Sequence, residues 1–343
     1  MSMRVSWVMA IMAALGLPLS AVTAKDIVIG VSLGTLQQER WTNEKGMMER
    51  YVATMPNVKM LVQAANSDAT VQVAQAENLL AQNVDVLIVV PQDAEAAGAI
   101  VTKAHAVGVP VIAYDRMIVK ADVDAYVSFD SVRVGELMAQ YVTKLKPKGN
   151  YIVLKGGPED NNAHLVYEGN MKVLKKFVDD GSIKIVADQW CENWSPEIAL
   201  KHTENALTAN NNKVDVIITG WDGLAGAAIQ ALAAQELAGK VLVTGQDADL
   251  SACQAIVEGT QAMTVYKPLA KLSKAGIDTA ILLAQKKFHS DKFVNNGFKN
   301  VPSVLPEIYS VDKSNMVDIL VKSGFRKMDD VYKNVPKEKW PKS

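Results

Sequence analysis

Cysteine is almost missing from this chain. Only Cys191 and Cys253 occur in 343 residues, which excludes a fold stapled by disulfides and favours two buried thiols over a bridge. Histidine is nearly as rare, and His105, His164, His202 and His289 have no metal-ligand spacing. Neither sign of charge dominates: 36 Lys and Arg face 37 Asp and Glu, for a formal net charge of −1, so the basic face of a nucleic-acid binder is absent. Beyond residue 24 no apolar run approaches the length of a membrane span. Nucleotide loops are missing too. GVSLGT, after the first predicted strand, has the wrong spacing for G-x-G-x-x-G, and no G-x-x-x-x-G-K-[ST] occurs. Neither the H-E-x-x-H of a zinc protease nor a D-x-[DN]-x-[DN]-G calcium loop is found. No enzyme, cofactor or metal is expected.

What is present begins with a leader pattern. Residues 1–24 hold a lone basic Arg4, an apolar stretch over 5–19 and small residues leading to Ala24, which reads as a cleaved secretory signal. Neither cysteine lies near that cleavage site, so no lipid anchor is expected, and an unanchored exported protein is retained only behind an outer membrane. The expected compartment is a periplasm. The chain then repeats itself. VDVLIVVPQDAEAAGAIVTKAHAVGVPVIAYDR (84–116) and VDVIITGWDGLAGAAIQALAAQELAGKVLVTGQDAD (214–249) share one layout. Each reads as a buried strand, a loop with an acid, an Ala-rich helix and a second buried strand ending in an acid.

Alternation of strand and helix runs from Lys25 onward. Short β-branched runs predict buried parallel strands over 27–33, 58–62, 84–90, 109–113 and 126–129, and again over 151–154, 183–187, 214–219, 241–244 and 263–266. Helical spacing falls between them, over 68–82, 94–106, 132–146 and 196–209; Ser195-Pro196 supplies a cap followed by proline at the first helical position. The pattern predicts an α/β chain of two doubly wound, mostly parallel sheets. Residues 25–130 with 268–303 are expected to form one lobe and 131–267 with 304–325 the other, crossing a multi-strand hinge. The charged, proline-broken tail 326–343 is expected to be loosely held.

Polar and aromatic residues collect where these strands end: Arg40 and Trp41, Asp115 and Arg116, Asp160 and Asn162, Trp190 and Trp194, Trp221 and Asp222, Asp247 and Asp249, then Lys267. Open α/β sheets bind ligands at the carboxyl ends of their strands. Trp190 reads as core or rim, while Asp222 and Asp249 read as helix caps.

The strings AYDRM, SFD, GELMAQ, DNNAHL, NMKVLK, ENALTANNNKVD, TGQDADL, GTQAMTVYKP and NNGFKNVPS, with GF near the end, run in order from about residue 26 to 325. In them the chain resembles the periplasmic sugar-binding proteins of ABC transporters. The resemblance implies a type I periplasmic binding fold and a monosaccharide ligand held in the interlobe cleft. D-xylose comes first, with a broader aldose range (glucose, galactose, arabinose) as the alternative. It implies a membrane permease as partner, in some members a chemoreceptor or sensor as well, and action as a monomer. The residues matching the family's pentose site are Arg40, Asp115, Arg116, Asp160, Asn162, Trp194, Asp247 and Lys267. An aromatic ring can cover the C–H face of a pyranose, with Trp41 as candidate for the face opposite Trp194. Charged side chains suit its hydroxyl rim. Three acids against three bases suit a neutral ligand, because an unpaired buried charge is costly. Trp221 departs from the pattern: pentose binders carry Asn-Asp where this chain has Trp221-Asp222, and Gly34-Thr35 replaces an acidic pair. Both leave the choice of sugar between xylose and the broader aldose class.

Overall fold

The structure is a computed structural model describing residues 26–341. The leader over 1–24 lies outside the described residues. In chain order the first lobe holds β1 (Ile27–Leu33), α1 (Glu39–Val52), β2 (Val58–Ala64), α2 (Ala69–Ala81), β3 (Val86–Val90), α3 (Gly98–Ala106), β4 (Val111–Tyr114) and β5 (Ala125–Val127). The second holds α4 (Ser131–Leu145), β6 (Gly149–Lys155), α5 (Asn161–Asp179), β7 (Ile183–Trp190), α6 (Pro196–Ala209), β8 (Val216–Thr219), α7 (Asp222–Ala234), β9 (Leu242–Gln246), α8 (Leu250–Glu258) and β10 (Met263–Tyr266). The chain then returns to the first lobe for α9 (Leu269–Ala284), β11 (Phe293–Asn295) and β12 (Asn300–Val304). It ends on the second with β13 (Tyr309–Val311) and α10 (Met328–Val331).

The first lobe is a 7-stranded sheet ordered β11-β12-β5-β4-β3-β1-β2, and the second a 6-stranded sheet ordered β13-β10-β9-β8-β6-β7. Both are parallel except at one edge, where β11 and β13 pair antiparallel. Strand β3 shows why such runs are continuously apolar. Val86, Ile88 and Val90 pack under α1 and α9, while Leu87 and Val89 pack under α2 and α3, so alternate residues fill opposite cores and none is left for water. The second lobe repeats the plan. Ile152, Leu154 and Ile217 face α6 and α7, while Tyr151, Val216 and Ile218 face α4 and α5.

The lobes are joined at residues 128–130, 267–268 and 305–308. Parallel strands point their carboxyl ends the same way, so the two sheets present those ends to each other across the hinge. The lobes meet in a closed arrangement. The Ala94 N–H of the first donates to the Glu159 carbonyl of the second at 3.0 Å. Cys191 and Cys253 are free and buried in separate cores.

Three sequence expectations need correction. The described part of the tail, 326–341, is anchored rather than loose: Val331 and Tyr332 are 0% and 2% exposed, packed with Ile256 and Val257 of α8 and with Leu320. Apart from the half-buried Arg326, its charged residues over 327–339 are exposed, while Met328, Val331, Tyr332 and Val335 recur on one face that charge density hid. Asp249 stands at the N-cap position of α8 but makes no side-chain cap hydrogen bond. Asp222 is the first residue of α7 rather than its cap. It is buried and accepts from Gln261 Nε2 at 2.8 Å, Thr264 Oγ1 at 2.9 Å and the Asp249 N–H at 3.0 Å. Burial, reinforced by Asp249 and Asp247, pushes its carboxyl well above the usual range. One string invites a misreading as well: GVSLG (30–34) has the letters of G-x-S-x-G, yet Ser32 lies inside β1 and is fully buried, far from an exposed nucleophile elbow.

Candidate functional site

Every strand-end residue singled out above as a ligand contact lines one cavity between the lobes. Arg40, Trp41, Asp115 and Arg116 come from the first lobe, and Asp160, Asn162, Trp194, Trp221 and Asp247 from the second, with Lys267 on a crossing segment. The space left among them is only about 30 Å³, room for a water or two and well below the usual size of a small-molecule site, so the lobes must part to admit a ligand. All of these residues except the half-buried Trp221 are 8% exposed or less. Two placements differ from the strand-end loops expected: Arg40 and Trp41 lie in the first turn of α1, and Asn162 in the first turn of α5. Asp160 is the N-cap of α5, its Oδ1 accepting from the Asn162 N–H at 2.9 Å, so a carboxylate facing the cavity also starts the helix.

Charge pairing crosses the hinge. Arg40 donates to Asp115 of its own lobe and reaches Asp247 of the other at 3.5 Å. Lys267 meets Asp247 Oδ1 at 2.7 Å, and Arg116 Nε meets Asp160 Oδ2 at 2.8 Å. A fourth buried acid, missed in the sequence, stands behind this set. Glu44, four residues along α1 from Arg40, accepts from Arg40 Nε at 2.6 Å and from the Tyr114 hydroxyl at 2.6 Å. Its one sequence signal is the i, i+4 spacing from Arg40, which carries meaning only once α1 is known to be a helix. Burial raises the Glu44 carboxyl, against the opposing pull of Arg40. Burial likewise raises Asp160, opposed by Arg116. Asp115 ends below its usual range, because Arg40, Lys267 and Arg116 outweigh the effect of burial. Burial would also lower Arg40, but Asp115, Glu44 and Asp247 outweigh it and keep the guanidinium charged.

Three of these residues sit in left-handed backbone without being glycine: Asp115 at φ +59°, Trp194 at +56° and Asp247 at +94°. Such conformations cost about 1–3 kcal/mol each and persist only where the surroundings hold them. At Asp115 the hold is visible. Its carbonyl accepts from Ser128 Oγ at 2.5 Å, Tyr126 OH at 2.9 Å and, from the other lobe, Asn162 Nδ2 at 3.0 Å.

Aromatic rings wall the cavity. Trp194 lies flat on Gly156, where a Cβ would come within 2.2 Å of the ring, and its indole N–H donates to Asp160 Oδ2 at 3.2 Å. Trp221 folds over Gly223 in the same way, a Cβ there standing 2.2 Å from its ring. Trp41 meets two cations instead: the Arg40 and Arg116 guanidiniums lie over its ring, 4.6 and 5.5 Å from the centre, and its N–H donates to Gln38 at 2.9 Å. Gln38, Ser131 and Gln246 also line the cavity and were not anticipated. Gln38 and Gln246 were legible as neighbours of Arg40 and Asp247; Ser131, on a hinge crossing, carried no signal. Trp190 packs outside the cavity against His164, 4.6 Å between ring centres, and over Lys155.

A small polar cavity closed between two doubly wound lobes, walled by indoles and rimmed by paired charges, defines a hinge-closing solute-binding protein. The chain belongs to the periplasmic binding protein family, whose domain matches residues 29–288. It is 44% identical over 314 residues to the D-xylose-binding periplasmic protein of Haemophilus influenzae, covering 91% of this chain and 94% of that protein. To the multiple sugar-binding periplasmic receptor ChvE of Rhizobium radiobacter it is 30% identical over 336 residues, covering 91% and 94%. A carbohydrate transporter solute-binding protein from Chloroflexus aurantiacus, solved in complex with D-glucose, superposes with a TM-score of 0.83 at 30% identity, covering 90% of this chain and 98% of that one. Among the described residues, no helix is long and apolar enough to cross a membrane.

Proposed function

We propose that this protein is the periplasmic solute-binding component of an ABC sugar importer, exported by its leader. It takes a monosaccharide, D-xylose foremost, into the interlobe cavity and delivers it to the permease by hinge closure. The observation that carries this reading is the cavity's composition: paired acids and bases from both lobes, with indole walls. A neutral polyol can hydrogen-bond to every one of those groups without adding a charge to a buried site. Closure follows from the same geometry. The ligand's hydroxyls bridge first-lobe Arg40, Asp115 and Arg116 to second-lobe Asp160, Asn162 and Asp247, and those contacts exist together only when the lobes meet, so ligand shifts the equilibrium toward the closed form. The protein acts as a monomer that releases its sugar unchanged. Its docking partners are the permease and, in a second role, a chemoreceptor or sensor.

Thermal unfolding with xylose, glucose, galactose, arabinose and ribose tests the reading. Sugar at about 100 times its Kd adds roughly 2.7 kcal/mol, a shift of several degrees. No shift with any of them would overturn it. Recovery of the sugar as anything but itself would instead make this an enzyme.

Trp221 supports a second reading, of a broader aldose receptor. Its ring occupies a wall where pentose binders place an amide, which removes a paired donor and acceptor from the ligand's reach. Trp221→Asn is expected to tighten xylose relative to glucose and galactose, as read by calorimetric titration of each sugar. An unchanged ratio would mean that Trp221 does not choose the sugar.

A further inference from the structure

The charged pair Asp247–Lys267 is braced from behind by a segment that does not touch the cavity. Asp247 and the buried Ala248 both hold left-handed φ, +94° and +53°. The Ala248 carbonyl accepts from Arg326 Nη2 at 2.8 Å and Nε at 3.1 Å, while the Ala248 N–H donates to Thr264 Oγ1 at 3.2 Å. One residue before Arg326, the Phe325 ring packs on Tyr266, 4.6 Å between centres. Tyr266 in turn precedes Lys267, the partner of Asp247 at 2.7 Å. Two consecutive tail residues thus hold the immediate neighbours of both members of the pair. The tail is itself anchored: the Arg326 N–H donates to the Leu320 carbonyl at 3.0 Å, and Gln254 of α8 donates to the Asp330 carbonyl at 2.8 Å. Arg326 is half-buried and is not among the cavity-lining residues.

We propose that Arg326, with Phe325 beside it, is a positioning residue for the sugar cavity. Its forked hydrogen bond to the Ala248 carbonyl keeps Asp247 in a backbone conformation that would otherwise relax. The Asp247 carboxylate then stays between Lys267 and the Arg40 of the opposite lobe. A guanidinium suits the task, since two of its N–H groups converge on one oxygen, whereas a lysine offers a single mobile ammonium. The assignment rests on the sugar-binding reading above.

The test is calorimetric titration of D-xylose and D-glucose into wild type, Arg326→Met, Arg326→Lys, Asp247→Asn and the Asp247→Asn double variants with each. Arg326→Met is expected to weaken binding about tenfold and Arg326→Lys by less, as a buried carbonyl loses one or both of its nitrogen donors and keeps only the weak Cys253 thiol at 3.5 Å. Added to Asp247→Asn, either change should cost less than about twofold more, because both act through one carboxylate. Equal fold losses in the two backgrounds, or a lowered melting temperature with unchanged Kd well below it, would overturn the assignment and leave Arg326 a structural residue. Should Arg326→Met fail to fold, the Arg326→Lys arm decides by the same criterion. Wild type that binds neither sugar overturns the functional reading and this assignment together; wild-type binding with Arg326 variants unchanged overturns only the latter.

Discussion

Asp247→Ala is expected to weaken sugar binding by about 2–4 kcal/mol, a loss of roughly 30- to 1,000-fold. Asp247 lies between two buried cations, one of them from the opposite lobe. It pairs with Lys267 at 2.7 Å and with Arg40 of the first lobe at 3.5 Å, and the three are 8%, 5% and 6% exposed. Alanine removes an acceptor from the ligand and leaves a nearly buried ammonium without its carboxylate, and truncating one member of a buried pair costs far more than an exposed pair contributes. The closed form suffers more than the open one, because only closure brings Arg40 to Asp247. The loss should therefore appear as a faster ligand off-rate with a nearly unchanged on-rate. Titration calorimetry and stopped-flow release decide it. Binding within twofold of wild type would remove Asp247 from the site.

The largest effect on the fold itself is expected from Arg40→Met. The guanidinium answers Asp115, Glu44 and Asp247, two of them in its own lobe. Methionine keeps much of the volume and leaves Glu44 and Asp115 buried without the cation that bonds them, while Asp247 keeps Lys267, for a destabilisation of about 3–5 kcal/mol near neutral pH. The pH dependence gives a sharper check. In the wild type Asp115 lies below its unfolded value, so its contribution is present above that value and is lost as pH falls through the folded one. In the variant, burial without Arg40 raises Asp115 and further raises Glu44, so acidification relieves it. Urea unfolding should then show the gap between the two proteins narrowing from about pH 7 to about pH 4. A gap that is constant or widens over that range would mean that Arg40 acts through packing alone.

Much of this was legible from local pattern. The strand spans 27–33 and 263–266 and the helix span 196–209 match the observed β1, β10 and α6, because buried β-branched runs and a Ser-Pro start are dictated by residues adjacent in sequence. The grouping of polar residues at strand ends needed one further step, that parallel sheets gather their carboxyl ends on one edge. Less was readable where helices begin inside polar strings. QQERW looks like a loop, yet Arg40 and Trp41 open α1, and that hid Glu44 one turn on. The tail misled for the opposite reason, since its surface charge concealed the buried Val331 and Tyr332.

The sequence by itself determined the two-lobed α/β plan, the side chains that would gather at the sheet edges and their near-neutral sum, since each depends on residue type and short-range spacing. Only the tertiary structure decided who pairs with whom. Arg40 with Asp247, Arg116 with Asp160 and Asn162 with the Asp115 carbonyl each join one lobe to the other. Arg326 on the Ala248 carbonyl ties the end of the chain to its middle. Such pairs are set by the hinge angle and by burial, which act between groups far apart in the chain and leave no mark on the spacing of either.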